Sequence, residues 1–147
     1  DLGQDIFVGV AAVADYALAN PPRQKLKKTA ETLQLTLTRN PDILAAVAAT
    51  PHAPFTVGFA AETEDLAVHA QAKLYNKGLD MICANAVGPD LAFGREDNRL
   101  EVYWPGGGQT LEKAPKIRLA SQLLDLIAQR LQAKTQAKRS TAPHDQA

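Results

Sequence analysis

The sequence predicts an α/β protein: a three-layer sheet with mainly parallel central strands, a β-hairpin extension and a long C-terminal helix. Short apolar runs alternate with helical patterns, the order that builds a parallel sheet covered on both faces. A stretch of alternating side chains ending in three glycines reads as a hairpin. Leucines recurring every four positions then close the chain.

Ile6 to Ala14 is apolar almost throughout and carries Val8, Val10 and Val13, which predicts a strand covered on both faces. Asn20, Pro21 and Pro22 exclude regular structure, so residues 17 to 24 are expected to be a loop, with Lys25, Lys27 and Lys28 behind it. Leu33, Leu35 and Leu37 alternate with Gln34, Thr36 and Thr38, the period of two of a strand with one buried face. Asn40, Pro41 and Asp42 form a helix start: an N-cap side chain, a proline whose missing N–H costs nothing there, and a first-turn carboxylate. That helix is expected to end near Thr50. Phe55 to Ala61 predicts a second strand, Thr63 a cap for the helix opening with Glu64 and Asp65, and Gly78 its stop. Asp80 to Val87 predicts a third buried strand. From Gly88 a polar loop leads to Leu100, Val102 and Trp104 alternating with Glu101 and Tyr103, then to Gly106, Gly107 and Gly108. Leu119, Leu123, Ile127 and Leu131 mark the last helix, with Leu124 widening the stripe. Residues 1–134 are expected to form the folded part and 135–147 a disordered tail.

The chain has 147 residues, with 16 Lys plus Arg against 16 Asp plus Glu. A zero net charge argues against a polyanion-coating protein or a polybasic membrane binder, though local clusters remain open. No apolar run has the length of a membrane span. Cys83 is the one cysteine, which excludes an intrachain disulfide framework and accords with a reducing cytosol. The chain starts at Asp1 without an initiator Met and reads as a piece of something longer.

In parallel sheets ligands bind at the carboxyl ends of the strands. That rule nominates Asp15 and the lysine segment, then Ala60, Glu62 and Thr63, then Asn85, with the Asn40 helix start as a further candidate. Asp65, His69, Lys73 and Lys77 stand at steps of four on one helix face, where like charges repel by about 0.2–0.5 kcal/mol unless something anionic lies between them. A solvated face explains the same spacing. Lys25 and Lys27 share one side of an extended segment, and two lysine groups on different elements suit a polyphosphate. Asp42 suits helix capping; the free N–H groups of its turn suit an anion as well. Asp15, just past a buried strand, suits a metal or hydroxyl. His52, His69 and His144 have no metal-ligand spacing with Cys83, and no glycine-rich phosphate loop or G-x-S-x-G motif occurs. Cys83 is expected in the core. Chemistry without a protein nucleophile rests on positioning and electrostatics.

Five segments together, Ala11-Ala12-Val13-Ala14-Asp15-Tyr16, Lys25-Leu26-Lys27-Lys28, Asn40-Pro41-Asp42-Ile43-Leu44, Val57-Gly58-Phe59-Ala60-Ala61-Glu62-Thr63 and Ile82-Cys83-Ala84-Asn85, resemble the phosphopantothenoylcysteine synthetase family in order and spacing. The resemblance runs from about Asp5 to Gln132. It implies a Rossmann-like fold and a ligase of coenzyme A biosynthesis, cytoplasmic and homodimeric. Such a ligase joins 4′-phosphopantothenate to L-cysteine with CTP through an acyl-cytidylate, with Mg²⁺ assisting. Members of this family differ in using CTP or ATP. In bacteria this is usually the C-terminal half of a bifunctional flavoprotein whose decarboxylase half holds FMN, and nothing in this chain resembles that half. Carried over by motif, Gly9, Val10 and Ala11 line the nucleotide pocket, Asp15 and Lys25 contact CTP, and Pro41, Asp42, Ile43 and Leu44 form a helix-start wall. Phe59, Lys73 and Lys77 complete it, and Lys25, on a mobile flap, stabilises charge during acyl transfer. No metal ligand is assigned. The family's domain opens with a further strand-and-helix region bearing a glycine-rich loop and an Asn, so the resemblance places part of the site outside this chain. The competing expectation is a nucleotide- or nucleic-acid-binding module that uses the lysine clusters without catalysis.

Overall fold

The structure, a computed structural model, describes residues 3–27, 31–87 and 97–141, without the side chains of residues 138 and 141. In chain order the elements are β1 (Ile6–Gly9), β2 (Tyr16–Leu18), β3 (Leu37–Arg39), α1 (Ile43–Ala48), β4 (Phe55–Glu62), α2 (Leu66–Asn76), β5 (Met81–Ala86), β6 (Asp97–Trp104), β7 (Gly107–Pro115) and α3 (Lys116–Thr141). Five strands form one sheet in the order β1-β4-β5-β6-β7, and β2 and β3 form a separate two-stranded ribbon. β1, β4 and β5 run parallel, whereas β6 and β7 are the antiparallel hairpin that the glycines foretold. The loop expected from Gly88, and also Lys28 and His144, lie outside the described residues.

Alternation along the strands sorts side chains onto two faces. Phe55, Val57, Met81, Cys83, Val102 and Leu111 meet Leu119, Leu123, Leu126 and Ile127 of α3. Ala60, Ile82 and Ala84 meet Ala70 and Leu74 of α2 on the other. Helices therefore cover both faces, as the three-layer expectation requires. Burial pushes the Cys83 thiol up to about 12, so it is a core group and no nucleophile at neutral pH.

Several local expectations need correction. β1 stops at Gly9 and, among the described strands, pairs only with β4; Ile6 and Val8 are half exposed rather than covered on both faces, and Val10 and Val13 lie beyond the strand. The expected loop at residues 17 to 24 begins inside β2. Of the alternating leucines only Leu37 enters a strand, and Leu33, Leu35 and Leu37 are exposed, because among the described residues the ribbon pairs only with itself and no second layer lies under it. In α3 the buried partner of the stripe is Leu126; Leu124 is 64% exposed. Five residues on from Leu119 a helix has turned to about 140° away, whereas seven residues on it has returned to within about 20°. The same helix continues past Lys134, into residues expected to form a tail, as far as Thr141. Lys134 ion-pairs with Asp80, whose other oxygen accepts from the Thr56 backbone N–H at 2.9 Å.

Candidate functional site

The carboxyl ends of β1 and β4, the start of α1 and one face of α2 converge. β1 ends on Gly9, which pairs in register with Gly58 of β4. A side chain at either glycine would run into Leu44: a Cβ on Gly9 would lie 3.2 Å from its Cδ1, and one on Gly58 would lie 2.9 Å from its Cδ2. The bare backbone is what lets α1 lie close against the strands. Val10 and Ala11 continue from Gly9 as exposed, irregular chain.

α1 is capped two residues later than Asn40 suggests. Asp42 is the N-cap, and its Oδ1 accepts from the Ala45 N–H at 3.1 Å. Asn40 closes the base of the ribbon instead: its N–H donates to Asp15 O at 2.8 Å and its Nδ2 to Ala14 O at 2.8 Å. Pro41 and Ile43 flank the cap and stay exposed. Asp15 is exposed past β1, and Lys25 and Lys27 lie in exposed, irregular chain between β2 and β3.

α2 is not capped by Thr63. Its N-cap is Asp65, in the left-handed conformation (φ 47°) and without a side-chain cap bond. Its other end follows the expected pattern: Gly78 at φ 64° lets the Leu79 N–H reach Leu74 O and the Gly78 N–H reach Tyr75 O. Between these ends His69 and Lys73 reach the same carboxylate at the end of β4. Lys73 Nζ is 2.5 Å from Glu62 Oε1, and His69 Nδ1 is 3.6 Å from Glu62 Oε2. Lys77 Nζ is 2.9 Å from Asp42 Oδ2. The Lys77 hydrogen bond, helped by the Ala45 N–H, holds the Asp42 carboxyl below its ordinary value of 3.8.

Of the shared face expected for Asp65, His69, Lys73 and Lys77, the three basic residues are present while Asp65 caps the helix from outside it, and the anions beside the lysines are the protein's own carboxylates. Two lysines and two carboxylates cancel, so this face is not a free basic patch. Each ammonium still has N–H donors to spare, since a lysine carries three. Phe59 is not brought to this face; its side chain packs with the α3 layer. Glu62 was nominated from the sequence by its place at the end of a buried strand; its pairing with Lys73 was not, because the two residues lie on different elements.

Among the described residues no group of three or more His, Cys, Asp or Glu side chains forms a metal cage. Among the described residues no helix is long and apolar enough to cross a membrane.

A family model described as DNA/pantothenate metabolism flavoprotein C-terminal domain matches residues 2–131. The chain is 43% identical over 128 residues to the Coenzyme A biosynthesis bifunctional protein CoaBC of Haemophilus influenzae, covering 86% of this chain and 32% of that protein. The protein of the same name from Vibrio vulnificus is 47% identical over 127 residues, covering 84% of this chain and 32% of its own length. The chain thus spans about a third of the curated relatives it matches. Among solved structures, the C-terminal domain of a CoaBC superposes with a TM-score of 0.66 at 28% identity, over 88% of this chain and 56% of that one. The DNA/pantothenate metabolism flavoprotein from Streptococcus pneumoniae, at 20% identity and the same TM-score of 0.66, shares the fold over 84% of this chain and 62% of its own.

Proposed function

We propose a function from one premise: the chain belongs to the family of DNA/pantothenate metabolism flavoprotein C-terminal domains. It carries part of a ligase that joins 4′-phosphopantothenate to L-cysteine with CTP. The substrate carboxylate attacks the α-phosphorus and pyrophosphate leaves. The cysteine amine then attacks the activated acyl carbon, CMP leaves, and the amine proton passes to solvent. Neither step needs a protein nucleophile, which agrees with a buried Cys83.

The observation that carries this reading is the meeting of the Gly9 backbone, the Asp42-capped start of α1 and the Lys73–Lys77 face at the carboxyl ends of parallel strands. Gly9, Val10 and Ala11 offer backbone to the nucleotide, with Pro41 to Leu44 as a wall. Phe59 serves through its backbone position on β4, its ring being on the other face. Because Lys73 and Lys77 are each matched by a carboxylate, the surplus positive charge for a triphosphate is assigned to Lys25 and Lys27, and Asp15 is assigned to contact CTP. Lys25 is the residue assigned to stabilise charge during acyl transfer. The described residues do not form a cage for Mg²⁺, so the ion is assigned to the triphosphate as part of the co-substrate. FMN belongs to the decarboxylase half of the whole protein, and the enzyme is placed in the cytoplasm as a homodimer. The matched charges on α2 also weigh against a nucleic-acid surface, which would need unpaired lysines.

Calorimetry tests the site. CTP with Mg²⁺ is expected to bind weakly or not at all to this chain alone and to bind a chain extended at its N-terminus. Failure of the extended chain to bind would reject the nucleotide site.

A further inference from the structure

We infer that Glu62 is a positioning residue for the Lys73 ammonium, fixing where it meets a phosphate oxygen. The inference rests on the proposed role of Lys73 at the nucleotide.

Glu62 is the last residue of β4 and is held from its backbone: it pairs in register with Ala86, and its carbonyl accepts the Val87 N–H at 2.9 Å. Its side chain is only 15% exposed, against 45% for Lys73. The strand end is thus the fixed partner and the lysine the movable one. Oε1 takes Lys73 Nζ at 2.5 Å, and Oε2 faces His69 Nδ1 at 3.6 Å. His69 Nδ1 also lies 3.1 Å from Glu64 O. A carbonyl only accepts, so a hydrogen bond there puts a proton on Nδ1, on the side that faces Glu62. His69 and Lys73, one helical turn apart, therefore converge on a single carboxylate.

A lysine has a long flexible stem, and ordering it on ligand binding weakens affinity unless the free protein has already ordered it. Glu62 does this while using one of three N–H groups, leaving two for a phosphate. The carboxylate also repels phosphate, so two effects of opposite sign compete. If Glu62 were merely a counter-charge, its neutralisation would tighten nucleotide binding. As a positioning residue, its neutralisation weakens it.

The test is calorimetric titration of the full-length native protein with CTP and Mg²⁺. Lys73→Ala is expected to weaken binding. Glu62→Gln is expected to weaken it about twofold to tenfold, the effect of one side chain left unordered. On the Lys73→Ala background Glu62→Gln should no longer weaken binding, because only the phosphate repulsion is left to lose, whereas a general structural role would still weaken it there. In turnover the loss should fall on KM for CTP, with kcat kept. Glu62→Asp, which keeps the charge, should recover part of the affinity, and it replaces Gln in the same cycle if the Gln variant fails to fold. Tighter or unchanged binding by Glu62→Gln beside a weakened Lys73→Ala would overturn the inference and leave the nucleotide site standing. Unchanged binding by Lys73→Ala would overturn the role of Lys73 and the inference with it.

Discussion

Lys77 Nζ lies 2.9 Å from Asp42 Oδ2, so the residue that ends α2 is tied to the residue that caps α1. Asp42 does two things with its two oxygens, one on the Ala45 N–H and one on Lys77. Its carboxyl is held below 3.8, and a depressed carboxyl contributes stability above its unfolded value that is lost as pH falls through the folded one. Lys77→Ala should therefore raise the Asp42 pKa, read by NMR titration of its carboxyl. The pair is partly exposed, so the stability lost at neutral pH should be about 0.2–1 kcal/mol. That difference from wild type should vanish below the folded pKa. An unmoved Asp42 titration would show that the pair does not form in solution.

Gly58 is the point on which the α1 side of the sheet depends. A Cβ there would stand 2.8 Å from Leu79 Cδ1 and 2.9 Å from Leu44 Cδ2. Leu79 is buried and has little room to yield. Gly58→Ala should cost about 1–3 kcal/mol in denaturant unfolding. It should also weaken CTP binding, because Leu44 belongs to the proposed wall. A change within about 0.5 kcal/mol would mean that both leucines move aside freely.

The α3 stripe separates two leucines that composition cannot. Leu126 is 6% exposed and Leu124 64%. Leu126→Ala should cost about 2–5 kcal/mol, whereas Leu124→Ala should stay within about 0.5 kcal/mol. Equal losses would contradict the way α3 faces the sheet.

Where an element packs on both sides, its pattern was enough to place it. β4, β5, the glycine hairpin and the Gly78 stop all came from local chemistry that the tertiary structure agrees with. The failures lie where packing is one-sided or missing. Ile6 to Ala14 has the composition of a central strand, yet among the described strands β1 pairs only with β4, and composition does not say which neighbours a strand has. Leu33, Leu35 and Leu37 keep the period of two with no layer beneath them. At the site, spacing put Asp65, His69, Lys73 and Lys77 on one face, and the structure agrees for the three basic residues but makes Asp65 the N-cap. It could not show that Glu62 and Asp42 would be the anions among them, since both arrive from other elements through the fold. Phe59 was placed by motif, and strand parity alone would have put its ring with Phe55 and Val57 on the α3 side.

The most direct test of the proposed ligase is pyrophosphate release by the full-length native protein given CTP, 4′-phosphopantothenate and L-cysteine, compared with its Lys25→Gln variant. The wild type should release pyrophosphate only when CTP and phosphopantothenate are both present, and the variant should lose about a hundredfold in rate, the scale of one electrostatic stabiliser removed. No CTP-dependent release by the wild type would contradict the ligase, and an unchanged rate in Lys25→Gln would contradict the role given to Lys25.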